Sequence, residues 1–126
     1  MAESKHDKGI ALRTKLWGEK GAKAGHDNLS QFDEDFGRFL NEELFGTIWM
    51  RPGLSTKTRS MITMAALMVL PRPMELRVHM RGALNQGVTP EEIKELIIHL
   101  SQYGGVPTAV EAIRAFREVT EPKKEK

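Results

Sequence analysis

The sequence predicts an all-α fold, a helical bundle of about six helices. Three observations carry this. Apolar residues recur at spacings of three and four along most of the 126 residues. The gaps between those stretches hold helix punctuation, with Ser or Thr before, Pro at the first turn and Gly after. No stretch alternates apolar and polar residues between hairpin turns.

The first helix is expected over "IALRTKLWGEKG", where Ile10, Leu12, Leu16 and Trp17 form a weak amphipathic face that ends in glycine. The second, "SQFDEDFGRFLNEELFG", opens with Ser30 as N-cap and Asp33 three residues on, in the manner of a capping box. Its Phe32, Phe36, Phe39, Leu40 and Leu44 are expected to share one apolar face. The third, "STKTRSMITMAALMVLP", has Ser55 as cap and Pro71 as stop, with Met61, Met64 and Met68 as a core stripe. The fourth, "PRPMELRVHMRGALNQG", has Pro73 in its first turn and Gly87 beyond its end. The fifth, "TPEEIKELIIHLSQYGG", is capped by Thr89, with Pro90 at the first position, Glu91 and Glu92 at the positive end of the dipole, and Gly104-Gly105 as its stop. "PTAVEAIRAFREV" supplies the sixth.

With 40% apolar and 29% charged residues the chain reads as a soluble globular protein. One domain over residues 1–126 is expected, with 1–9 and 121–126 as charged, frayed ends. The core is modest, so burial through self-association is expected. A net charge of +2, from 19 basic and 17 acidic residues, argues against a dedicated nucleic-acid surface. The absence of cysteine excludes disulfides, thiolate metal sites and thiol chemistry. The longest apolar run, Met61 to Leu70, is too short to span a bilayer. "MAESKHDKG" lacks the apolar segment of a signal peptide, so a cytoplasmic protein is expected.

Two stretches are candidates for chemistry. In "GTIWMRPGL", Arg51-Pro52-Gly53-Leu54 is a turn signal that restricts the Arg51 backbone. One reading is an anion-binding arginine beside Trp49. The other is a loop whose tryptophan fills the core, which the usual burial of tryptophan favours. In the fourth helix, Arg72, Glu75 and His79 share a face beside the apolar stripe Leu76, Met80, Ala83 and Leu84. A carboxylate one turn from an imidazole raises its pKa and orients it, as a proton donor requires. The alternative is a solvated ion-pair row with His79 partly buried, and spacing alone favours it.

Other positions carry less. His99 reads as a satisfied core histidine, and Tyr103 as packing or as a hydroxyl pointed into a pocket at the helix end. His6 and His26 have no partner at metal-ligand spacing, so no metal is expected. No Gly-rich loop precedes a helix as a phosphate cradle requires.

Taken in order, "GTIWMRPGL", "TRSMITMAALMVL", "MELRVHMRGALNQGVTPEEIKELIIHLSQYGGVP" and "AVEAIRAFRE" resemble the gamma-carboxymuconolactone decarboxylase family. The likeness runs nearly without gaps from about Gly25 to Val119. It fits the decarboxylase branch better than the thiol-dependent alkylhydroperoxidase D-like branch. Where the latter carries a C-x-x-C pair, this chain has Arg72 and Glu75, while the histidine is kept as His79.

The resemblance implies an alkylhydroperoxidase D-like helical bundle that assembles, often as a hexamer. It implies cofactor-free decarboxylation of 4-carboxymuconolactone to the enol-lactone of 3-oxoadipate. The expected roles follow from residue type at matching positions: His79 as proton donor held by Glu75, and Arg51 and Arg59 as carboxylate anchors. Trp49 and Tyr103 are walls or an oxyanion donor, and Arg72 joins the substrate-binding set. A relative acting on another carboxylated ring, and a non-catalytic oligomeric binding protein, stay open beside this reading.

Overall fold

A computed structural model describes residues 3–121. Among them the chain is all helix, without strands, in two compact units, Met1–Thr56 and Lys57–Lys126. The expected frayed end at 121–126 lies, beyond Glu121, outside the described residues.

In the first unit, α1 spans Lys5–Phe32. It begins inside the stretch expected to fray, because Ser4 Oγ caps it by accepting from the Asp7 N–H at 3.1 Å. Gly18, at φ 77° and ψ 171°, kinks the helix into two arms, a backbone that glycine adopts without steric cost. The second arm runs through Ser30, so Ser30 is not the cap of the next helix. That cap is Asp33, in extended geometry, whose carboxylate accepts from the Phe36 N–H at 2.8 Å.

Helix α2, Glu34–Phe39, continues directly into a wide-turned segment, Leu40–Ile48. Its end is marked by the Trp49 N–H bonding Leu44 O, five residues back, at 2.9 Å. The buried line is Gly37, Asn41 and Phe45, not the expected phenylalanine face. Phe32, Phe36 and Phe39 are 82%, 44% and 60% exposed, which corrects that expectation. The reason is close approach: a Cβ on Gly37 would lie 2.4 Å from Ser30 Oγ, so bulky rings on this face would hold the helices apart. The unit's core is Leu12, Leu16, Phe45 and Trp49.

The second unit holds α3 (Thr56–Val69), α4 (Pro73–Asn85), α5 (Pro90–Gly104) and α6 (Val106–Thr120). Met64 and Met68 of α3 pack with Leu76, Met80 and Ala83 of α4, Ile93 and Ile97 of α5, and Ala112 and Ala115 of α6. The methionine stripe and the apolar stripe of α4 are therefore core, as expected. Pro73 opens α4, and Gly87, at φ 89°, lets the chain leave it. Thr89 caps α5 through a complete capping box: the Glu92 N–H bonds Thr89 Oγ1 at 3.1 Å, and Glu92 Oε1 accepts from the Thr89 N–H at 3.0 Å. Arg77 ties α4 to α6, donating from Nε and Nη2 to Glu118 at 2.5 and 2.9 Å and from Nη1 to Pro73 O at 2.7 Å.

Candidate active site

His79 sits two turns into α4, half-buried beside Met80, which is wholly buried. Burial pushes its imidazole below the ordinary value of 6.5, and the Glu75 carboxylate one turn earlier pulls it back only in part. Glu75 acts on the ring in the expected direction, but the net shift has the opposite sign. Glu75 raises the His79 pKa, and desolvation outweighs it because Glu75 stands exposed in water while the ring does not.

Arg72 is turned to a different task. It is the N-terminal cap residue of α4, and its Nη1 donates to Leu70 O at 2.8 Å and Pro71 O at 3.1 Å, closing the turn from α3. It also borders a cavity of about 270 Å³ walled by Leu67, Met68, Leu76 and Pro107, with Glu111 as the other charged residue. His79 lies outside that cavity's lining, so Arg72 and His79 share a helix face without sharing the pocket.

Arg59 is half-buried on α3. Tyr103 is 75% exposed near the end of α5, its ring 5.1 Å from that of His99. His99 is exposed and lines a shallow groove with Glu91, Glu92 and Glu95, so it is not a core histidine. The buried side of α5 is set by Ile93 and Ile97, and position 99 faces away from that stripe.

In the first unit, Trp49 is only 7% exposed and packs with Leu12, Leu16 and Phe45, as the core-filling alternative anticipates. Arg51 is exposed just beyond it, its N–H bonded to Ile48 O at 3.2 Å. Sequence reasoning missed the meeting of His6 and His26, whose rings stand edge to face at 5.5 Å. Only the two-arm form of α1 brings them together, and the kink glycine was the one signal for it. Among the described residues no group of three His, Asp or Glu side chains is placed to hold a metal ion. No helix among them is long and apolar enough to cross a membrane.

The fold and the site define an all-helical protein with an imidazole–carboxylate pair on one helix, arginines on its neighbours and no thiol. The sequence profile of the carboxymuconolactone decarboxylase family matches residues 34–118, and the chain belongs to that family. It is 42% identical to a 4-carboxymuconolactone decarboxylase of Acinetobacter baylyi, over 93% of this chain and 87% of that one. It is 36% identical to a nitrosuccinic acid decarboxylase of Metarhizium robertsii, over 85% of this chain and 75% of that one. An uncharacterised 15.0 kDa protein of Paracoccus denitrificans is 38% identical over 62% of this chain and 60% of its own. The two relatives with named activities are carboxy-lyases.

Proposed function

We propose that this protein decarboxylates 4-carboxymuconolactone to the enol-lactone of 3-oxoadipate, a step of protocatechuate breakdown. The observation that carries the reading is the 42% identity across nearly the whole chain to an enzyme of that name. The chemistry suits the residues. The bond from the γ carbon to its carboxylate breaks, carbon dioxide leaves, and the electron pair runs through the ring double bond onto the carbonyl oxygen. The resulting dienolate takes a proton at the α carbon. The substrate is its own electron sink, so the protein's share is to bind, to stabilise the oxyanion and to deliver that proton.

His79 is the proposed donor and Glu75 its orienting partner. Arg59 on α3 is the proposed anchor for the remaining carboxylate, with Arg51 the other arginine suited to it by its guanidinium fork. Tyr103 is a proposed wall or oxyanion donor. The free protein holds His79 largely neutral near pH 7, and an arriving dicarboxylate raises its proton affinity, so the substrate itself charges the donor. We further propose that the chain acts as a single domain in a cytoplasmic hexamer. The exposed Phe32, Phe36 and Phe39 support assembly, since apolar rings so placed call for cover.

A second reading rests on the nitrosuccinic acid decarboxylase relative. Nitrosuccinic acid is also a dicarboxylic acid whose nitro group accepts the electron pair, so the same donor and anchor serve. The test is direct: mix the protein with 4-carboxymuconolactone and follow absorbance and released carbon dioxide. Turnover supports the first reading. Binding without turnover supports a binding protein, and silence there with turnover of nitrosuccinic acid supports the second.

A further inference from the structure

The first unit holds a polar cluster that the proposed chemistry does not use. Arg13 is 4% exposed, its Cζ 4.5 Å from the centre of the Phe45 ring. Its Nε and Nη1 are buried without a hydrogen-bond partner, and so are His26 Nδ1 and Asn41 Oδ1. Asn41 and His26 belong to one connected group with His6. Asn41 Nδ2 bonds His6 O at 3.1 Å and stands 3.0 Å from His6 Nδ1, and His6 meets His26 edge to face. Gly25, next to His26, leaves room for the guanidinium: a Cβ there would lie 3.1 Å from Arg13 Nη2. A cavity of about 440 Å³ opens beside the group, lined by His6, Thr14, Lys23 and His26, with Glu19 in its wall.

An arginine keeps its charge inside a protein, and a buried cation without a counter-charge is among the costlier arrangements a fold can hold. Desolvation lowers the Arg13 pKa, and no carboxylate offsets it. Asp27, the acid adjoining His26, is paired with Lys23. Among the described residues no ion pair involves Arg13. Arg13 does not itself line the cavity, and its charge acts there at a distance, as it does on His26.

We propose that this cavity is a carboxylate-binding site, with Arg13 as the fixed charge behind it and His6 and His26 as its hydrogen-bonding wall. Two sources share that chemistry: a small organic acid, or an Asp or Glu side chain of a second copy of the chain. His26 reports occupancy. Its proton affinity is held down by burial, by Arg13, by His6 and by Lys23, against Asp27 alone. A bound anion reverses the balance.

The experiment follows the His26 Cε1–H resonance through a pH titration of the full chain, in sodium acetate and in sodium chloride at equal ionic strength. For a small-acid site, acetate raises the His26 pKa by about one unit or more, tenfold in proton affinity. R13M abolishes that response while light scattering returns the parent's mass. For a second-copy carboxylate, acetate has little effect and both R13M and H26Q fall to a smaller mass. R13K, which keeps the charge and loses the planar donors, replaces R13M if that variant does not fold. No acetate response together with unchanged mass in the variants overturns the proposal and leaves ordered water as the only occupant. None of these readouts depends on turnover, so their failure is distinct from failure of the decarboxylase reading.

Discussion

The pH dependence of catalysis is the sharpest check on His79. Its folded pKa lies below 6.5, so in the free protein the acid form grows as pH falls through the whole range from 8 to 6.5. If the imidazolium donates the proton, kcat/KM must follow that fraction, because this parameter reports the free enzyme's groups. With a pKa of 6.5 as the upper bound, the protonated fraction rises about 16-fold from pH 8 to 6.5, and with a lower pKa it approaches about 30-fold. The parent should therefore gain roughly 16- to 30-fold in kcat/KM over that span. Glu75→Gln removes a carboxylate that pulls the pKa up, so its rising limb should sit at lower pH than the parent's. His79→Ala should lose about 10²–10⁴-fold in kcat, equal to about 3–5 kcal/mol of transition-state stabilisation, and lose the limb with it. Stopped-assay kinetics from pH 5.5 to 8, with each variant checked for fold and mass, measure all of this. A flat parent profile, a rate that rises with pH, or a His79→Ala protein nearly as active as the parent would refute the assignment. The row Arg72, Glu75, His79 would then be structural.

Arg59→Ala and Arg51→Ala are expected mainly to raise KM, insofar as each contact is equal in ground and transition states, and steady-state kinetics at fixed pH tests this. Light scattering at micromolar concentration should return a mass well above the 14.2 kDa chain, and Phe36→Asp should lower it. Met80→Ala removes a side chain with no exposure from the core behind His79. It should cost about 2–5 kcal/mol of stability, read as a lower denaturation midpoint at unchanged slope. Binding of an inert dicarboxylate above pH 6.5 should take up protons at His79, seen as a buffer-dependent heat in calorimetry.

The sequence predicted the helical fold well where the signals were local. Thr89, Pro90 and Gly87 mark the ends of α4 and α5 in the chain text because capping and left-handed exits depend on the residues at the end itself. The core stripes on α3 and α4 were equally plain, since Met64, Met68, Leu76 and Met80 keep one helical period. The first unit was harder. Its buried line is decided by how closely two backbones approach at Gly37, and glycine carries no weight in a hydrophobic pattern, so the larger phenylalanines drew the face to the wrong side. Ser30 lost its capping role to Asp33 because α1 runs on to Phe32, well past the Gly21 at which its own apolar pattern stops. At the site, spacing placed Glu75 and His79 together but could not give the sign of the pKa shift, which depends on burial by other helices.

That sign changes how the proposed catalyst works. An imidazole kept charged at rest would be a ready donor, but its charge would also stabilise any bound carboxylate before reaction, which lowers the ground state and gains nothing in rate. An imidazole kept neutral by burial takes up its proton when an anionic substrate arrives. The cost of charging it is then met by the ligand, and a neutral ligand cannot meet it. The same device would discriminate: acids with one carboxylate spent in decarboxylation and a second left to bind would charge His79 and anchor on an arginine at once. Simple monocarboxylates would do one or the other. On this argument a preference for dicarboxylates would arise from the burial of one ring, and a variant that opens its surroundings to water should widen the range of acids accepted while its rate on the favoured one falls.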